Sequence, residues 1–174
     1  AQLRALRPDL EMVPMAGNVD TRLKKLEAGE VDAVVLAVAG LERLGKSEVV
    51  SFVFEADRMI PAAGQGALVV QGRSGDPALD RAALAGDTGS AACLAAERAA
   101  VAQIGAGCES PVGFYARTVD GRFELDGFAG LVNGSVWLRD RVEGDATRPE
   151  AAGRELADRM LAAGAREILE EVGP

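Results

Sequence analysis

The stretch VGFYARTVDGRFELDGFAGLVNGSVWLRDRV, residues 112–142, decides the reading of the fold. It divides into three strand-like runs, Val112 to Val119, Arg122 to Val132 and Ser135 to Val142, whose β-branched and aromatic residues suit a pleated, half-buried surface. Asp120-Gly121 and Asn133-Gly134 join them, and both dipeptides favour two-residue type I′ turns, in which each central residue needs positive φ. Three consecutive antiparallel strands are therefore predicted. Beyond them, Thr147-Arg148-Pro149-Glu150 has the form of a capping box, and Leu156, Met160 and Ala163 make an apolar stripe running to Gly164. A last short helix ends near Val172. Before them, an Ala-rich helix is predicted from about Ser90 to Ile104, and a shorter helix starts at Pro77 with Asp76 as its cap. A meander followed by helices is an α+β module.

The first third is organised differently. An extended run, Leu10 to Met15, precedes a helical stretch from Val19 to Ala28 and then the continuous apolar run Val31 to Val38, the pattern of a buried parallel strand. Strand, helix and strand at this spacing make half of an α/β domain with a right-handed crossover. A second short helix, Leu41 to Leu44, is predicted directly after Gly40. Met59 to Arg73 reads as extended, broken by Pro61 and by the turn Ala63-Gly64-Gln65-Gly66, before strand-like Ala67 to Gln71.

Composition bounds the chemistry. The chain has 174 residues, 48% hydrophobic and 26% charged, which suits one globular domain or two small ones. A net charge of -8 speaks against nucleic acid and anionic membrane as partners, so any anionic ligand must meet a local cationic cluster. Histidine is absent, which excludes Ser-His-Asp and Cys-His catalysis and the usual zinc sets; no metal is expected. Arginine outnumbers lysine 16 to 3, which favours bidentate recognition of carboxylates or phosphates, with coding bias as the plain alternative. Two cysteines without a signal-peptide pattern point to a reducing, cytoplasmic setting; a single bridge between them is the alternative. The chain starts at Ala1 without Met and already in helical pattern, as a piece of a longer protein would.

Four places carry candidate chemistry. Cys93 lies in the Ala-rich helix, where a small thiol packs as a core residue and receives no role. Cys108 follows Gly105-Ala106-Gly107 and precedes Ser110-Pro111, a tightly turned loop where sulfur can meet a ligand. Glu109 beside it disfavours the thiolate and no His serves as base, so a single permanent alkylation fits better than a turnover nucleophile. Gly17-Asn18-Val19-Asp20-Thr21-Arg22 sets a glycine turn and a polar cap before a helix, a place for an anionic group or simply an ordinary cap. Arg22 sits in the first turn, against the helix dipole, which hints at a ligand. Ala39-Gly40-Leu41-Glu42-Arg43 repeats the arrangement at the carboxyl end of the apolar run, where open α/β sheets bind ligands. Gly64-Gln65-Gly66 lacks the Walker lysine and reads better as a backbone crossing or hinge than as a nucleotide loop.

Taken together, Gly17-Asn18-Val19-Asp20-Thr21-Arg22-Leu23, Leu36-Ala37-Val38-Ala39-Gly40-Leu41-Glu42-Arg43-Leu44-Gly45, Pro61-Ala62-Ala63-Gly64-Gln65-Gly66-Ala67 and Gly107-Cys108-Glu109-Ser110-Pro111-Val112-Gly113 resemble the porphobilinogen deaminase (hydroxymethylbilane synthase) family. The order and spacing fit along essentially the whole chain. The resemblance implies a transferase of haem and porphyrin biosynthesis that joins four porphobilinogen molecules into hydroxymethylbilane, releasing ammonia, on a dipyrromethane cofactor. It implies that Cys108 holds that cofactor as a thioether. Arg22 and Arg43 would then clamp the acetate and propionate groups, Asn18, Thr21, Ala39 and Gly40 would lie along the same cleft, and Gln65 with Gly66 at the interdomain hinge. The family's reaction proceeds through an azafulvene-like electrophile stabilised by an aspartate, and that aspartate has no counterpart in this chain, so no catalytic residue is assigned here.

By the same resemblance, residues 1–60 are part of the second, periplasmic-binding-protein-like α/β lobe of a three-domain enzyme. Residues 61–86 are a hinge and a returning segment that pairs with a first domain, and 87–174 are the α+β cofactor-attachment domain. Ala16 departs from the family pattern, which usually has Arg there. The parent enzyme is expected to be a monomer, the isolated chain inactive, unmodified at Cys108 and able to self-associate. The competing reading is a non-catalytic module that binds polycarboxylates or docks on a partner.

Overall fold

The computed structural model describes residues 1–172. They fall into two compact units, Leu10–Glu55 and a second made of Ala1–Asp9 with the chain from Ala56 onward.

The second unit is built on three antiparallel strands in the order β1-β2-β3, with β1 Val112–Val119, β2 Arg122–Gly130 and β3 Trp137–Gly144. The first turn is the two-residue turn expected: Val119 faces Arg122, and Asp120 and Gly121 have φ of 50° and 78°. The second is not. The β2–β3 ladder stops at Gly130 opposite Trp137, only Gly134 of the Asn133-Gly134 pair has positive φ, and Leu131 N–H donates to the Val136 carbonyl at 2.8 Å. The reason is local: Asn133 Oδ1 accepts from Ser135 N–H at 2.9 Å and from Ser135 Oγ at 2.7 Å, an Asx turn that holds a longer loop.

Helices α1 (Gln2–Leu6), α4 (Pro77–Ala83), α5 (Thr88–Ile104), α6 (Pro149–Ala162) and α7 (Ala165–Val172) complete this unit. Asp76 caps α4 through Ala78 N–H, as expected, and Asp87 caps α5 through Ser90 N–H. The capping box at Thr147 does not form. Asp145 Oδ1 takes both Thr147 N–H and Thr147 Oγ–H, at 2.8 and 2.7 Å, so α6 starts with Arg148 as an N-cap lacking a side-chain bond and Pro149 at its head.

The core lies between the sheet and α5 and α6. Phe114, Ala116, Phe123, Leu125, Ala129 and Val142 alternate along the strands toward the helices, where Ala96, Ala100 and Ile104 of α5 meet Ala152, Leu156 and Met160 of α6. Small residues let the two helices approach closely. A Cβ on Gly153 would run into the Ala96 carbonyl oxygen and lie 2.9 Å from Ala99 Cβ, so α5 rests on bare backbone there. Gly153→Ala gains about 0.8 kcal/mol in helix propensity but forces the helices apart. The expected net loss is about 1–3 kcal/mol, with a thermal midpoint lower by roughly 5 °C; an unchanged midpoint would show that the crossing yields freely.

The Leu10–Glu55 unit contains α2 (Val19–Glu27), α3 (Val38–Arg43) and a 3₁₀ turn, Ser47–Val49. Here the expectation needs correcting: among the described residues, no strand forms at 10–15, at 31–38 or, in the other unit, at 67–71. Val38 opens α3 instead of closing a strand, and Val13, Val35, Leu68 and Val69 are mostly exposed. An apolar run becomes a parallel strand only when neighbours on both sides supply ladder bonds and cover its faces. These runs have the composition of such strands and lack the neighbours. Residues 173 and 174 lie outside the described part.

Candidate cofactor-attachment site

Cys108 sits on the connection between α5 and β1. Gly105 ends α5 in the left-handed conformation, with φ of 75°, and its N–H donates to the Val101 carbonyl. Ser110 N–H then donates to the Gly107 carbonyl at 3.2 Å while Ser110 Oγ accepts from Gly107 N–H at 2.9 Å. These two bonds close a four-residue turn, with Cys108 and Glu109 at its two central positions. The thiol is exposed and unpaired, so the disulfide alternative is not realised. Cys93 is a free thiol too, packed beside the core, and burial, then the Glu97 and Asp87 charges, push its pKa up. Of the two sulfurs, Cys108 is the more exposed.

The Gly64-Gln65-Gly66 segment belongs to the same unit as Cys108. Gln65 N–H donates to the Ala62 carbonyl at 3.1 Å and Ala67 N–H to the Gly64 carbonyl at 3.0 Å, two overlapping turns that leave Gln65 and Gly66 exposed. Gly64 has φ of 74°, and its N–H is held by Glu97 Oε2 at 2.7 Å. Glu97 received no role from the sequence. It occupies the buried stripe of α5 with Ala100 and Ile104, and a lone carboxylate in an apolar helical stripe is the signal that marks it.

Within the Leu10–Glu55 unit, Asn18 Oδ1 accepts from Thr21 N–H and Thr21 Oγ–H, both at 2.9 Å, so the pair caps α2. Gly17 has φ of 115°, and its carbonyl accepts from Arg22 Nε at 2.9 Å, which orients the guanidinium through Nε and leaves its terminal nitrogens over. A Cβ on Gly40 would lie 3.8 Å from Val19 Cγ2, and Lys46 Nζ pairs with Asp20 at 2.9 Å. The starts of α2 and α3 are thus neighbours, and the Gly17–Arg22 and Ala39–Arg43 motifs come together in space. Arg43, in the last turn of α3, is exposed and, among the described residues, in no ion pair. The first N–H groups of α3, Ala39 among them, have no intrahelical acceptor.

No group of three or more His, Cys, Asp or Glu side chains able to hold a metal occurs among the described residues. No helix among them is long and apolar enough to cross a membrane. Two shallow depressions, each about 450 Å³, border the Arg122–Asp145 end of the sheet and the Asp57–Arg141 cluster, and neither is lined by a candidate cofactor residue.

Comparison with known proteins adds the family context. Residues 1–81 match the family model described as porphobilinogen deaminase, dipyromethane cofactor binding domain, and residues 91–162 the one described as porphobilinogen deaminase, C-terminal domain. The porphobilinogen deaminase of Thiobacillus denitrificans is 49% identical over 172 residues, 98% of this chain and 56% of its own length. Those of Trichlorobacter lovleyi and Nocardia farcinica are 44% and 47% identical, over 99% of this chain and 55% and 53% of theirs. The chain therefore spans about half the length of the curated relatives it matches.

Proposed function

The chain belongs to the porphobilinogen deaminase family, and on that premise we propose that it carries part of an enzyme joining four porphobilinogen units head to tail into hydroxymethylbilane, with release of ammonia. Its own part is to hold the dipyrromethane primer through a thioether to Cys108. The observation that carries this reading is the placement of Cys108: an exposed, unpaired thiol at the centre of a closed turn between two core elements. When bound, the dipyrromethane supplies the terminal pyrrole to which each unit is added. A thioether resists hydrolysis, so the sulfur keeps its cargo while product is cut from the far end.

Porphobilinogen carries acetate and propionate groups, so the growing chain is a polyanion. Arg22 and Arg43 are the cations assigned to those carboxylates, since guanidinium matches carboxylate in bidentate geometry. Ala39 and Gly40 offer the start of α3 to an anionic group. Asn18 and Thr21 act by fixing the head of α2, and so the position of Arg22, through the two bonds that Asn18 Oδ1 accepts from Thr21. Gln65 and Gly66 are assigned to the cofactor from an exposed turn. The carboxylate that stabilises the reacting pyrroles is assigned to a part of the enzyme that this chain does not supply. A cytoplasmic setting fits two thiols that are free in the structure.

The second reading, a non-catalytic module binding polycarboxylates or docking on a partner, draws on the same arginines and on the half-length span. One experiment separates the two. The 174-residue protein alone is expected to consume no porphobilinogen and to show the unmodified mass at Cys108. Mixed with a polypeptide carrying the remainder of the family fold, it is expected to form bilane and to gain the mass of two linked pyrroles. Turnover by the chain alone would refute its assigned incompleteness, and a mixture that stays inactive favours the binding module.

A further inference from the structure

We propose that Glu97 is a positioning residue whose buried carboxylate fixes the Gly64–Gly66 turn against strand β1, and so against the α5–β1 frame that carries Cys108. Glu97 is 7% exposed, and its two oxygens go to different segments: Oε2 accepts from Gly64 N–H at 2.7 Å and Oε1 from Ala116 N–H at 2.9 Å. The sheet order leaves β1 at an edge, with N–H groups that β2 does not take. Phe114 N–H uses the Pro61 carbonyl at 3.0 Å, and the backbones are close enough that a Cβ on Gly113 would lie 2.6 Å from the Ile60 carbonyl oxygen. Segment 60–64 therefore runs beside β1 as far as Pro61 and then turns away at Ala62–Gln65. Where it leaves, Glu97 takes over the next edge donor, Ala116, and holds the departing chain with its second oxygen.

A carboxylate is suited to this place because it accepts on two oxygens at once. No cation pairs with it among the described residues, so the two backbone donors are its compensation for burial. Burial pushes its pKa up, with the Ala116 and Gly64 bonds opposing. An apolar side chain would avoid that cost, but it would leave both N–H groups without an acceptor. Cys108 hangs between Ile104, the end of α5, and Val112, the start of β1, which are the two elements Glu97 joins. One side chain thereby relates the attachment loop and the exposed Gln65-Gly66 turn to a common frame. The bearing on catalysis rests on the roles proposed above for Cys108 and Gln65; the geometric claim does not.

The test is amide hydrogen exchange on the full 174-residue chain, read residue by residue. In the unsubstituted protein, Gly64 is expected to be protected as Phe114 is; a Gly64 amide exchanging at the rate of an open loop overturns the proposal without any variant. Glu97→Gln keeps the length but presents an NH₂ where an acceptor is needed, and Glu97→Asp keeps the charge but is one methylene short. Each is expected to speed exchange at Gly64 or Ala116 about ten- to a hundredfold, the loss of one bond to a charged acceptor, with the β2–β3 ladder unchanged. Rates at both amides equal to those of the parent chain, or a uniform acceleration that includes the β2–β3 ladder, would overturn it, the latter by showing a packing role alone. A reconstituted mixture with no turnover would sink the proposed activity and leave these rates as they are.

Discussion

Cys108→Ser is expected to abolish bilane formation by the reconstituted enzyme and to remove the mass increase of two linked pyrroles, while Cys93→Ser leaves both unchanged. The asymmetry follows from where the two sulfurs sit. Cys108 is exposed on a turn closed by the reciprocal bonds of Gly107 and Ser110, so the loop around it does not depend on the thiol. Serine at that position preserves the turn and removes the soft nucleophile, and an alcohol is a far poorer partner for a carbon electrophile than a thiol. Cys93 is not expected to substitute. It is packed against the core on the α5 face that also carries Glu97, and burial and the neighbouring carboxylates suppress its thiolate. Intact mass and porphobilinogen consumption, measured on the same samples, decide the matter. Full turnover by the Cys108→Ser mixture, or a pyrrole adduct on Cys93, would defeat the assignment.

How far the sequence carried depended on whether the needed interactions were local. Asp120-Gly121 specified its turn because both residues tolerate positive φ and nothing nearby competes. Asn133-Gly134 offered the same pattern, but Ser135 drew the Asn133 side chain into an Asx turn, and Asp145 did the same to Thr147 at the head of α6. Such competition is set by residues one or two places away and lies within reach of a reader who checks each polar side chain for nearer donors. The apolar runs at 31–38 and 67–71 failed for the opposite reason, since a parallel strand is specified by partners distant in sequence. The candidate residues divide in the same way: the Asn18 cap was legible from four consecutive residues, whereas the approach of Gly40 to Val19 was not. Glu97 was missed although its place in the α5 stripe marks it, because an Ala-rich helix was read for its composition and not for the one polar residue among its buried positions.

The largest loss of stability is expected from Asp126→Ala. Asp126 is 2% exposed on β2, directly opposite Tyr115 of β1 and Arg141 of β3. Arg117 Nη1 donates to it at 2.5 Å, and Arg141 donates through Nε at 2.8 Å and Nη2 at 3.1 Å. Glu124, one step along the same face, takes Arg117 Nη2 at 2.8 Å, so two guanidiniums and two carboxylates interleave across three strands. Alanine at 126 would leave Arg117, whose side chain is only 22% exposed, with Glu124 as its remaining anion, and would strip Arg141 of its short contacts. Breaking a buried pair costs about 3–5 kcal/mol; because the Arg141 side chain is 45% exposed and water can replace part of what it loses, about 3 kcal/mol is expected. Asp126→Asn, which keeps the shape and one acceptor, should cost less, and Arg141→Ala less again. Denaturant unfolding with unchanged slope measures each, and a loss under about 1 kcal/mol for Asp126→Ala would show the cluster to be solvent-screened. The consequence reaches the attachment loop, because Arg117 is the residue after Ala116 on β1: slackening this cluster loosens the strand whose other edge Glu97 holds.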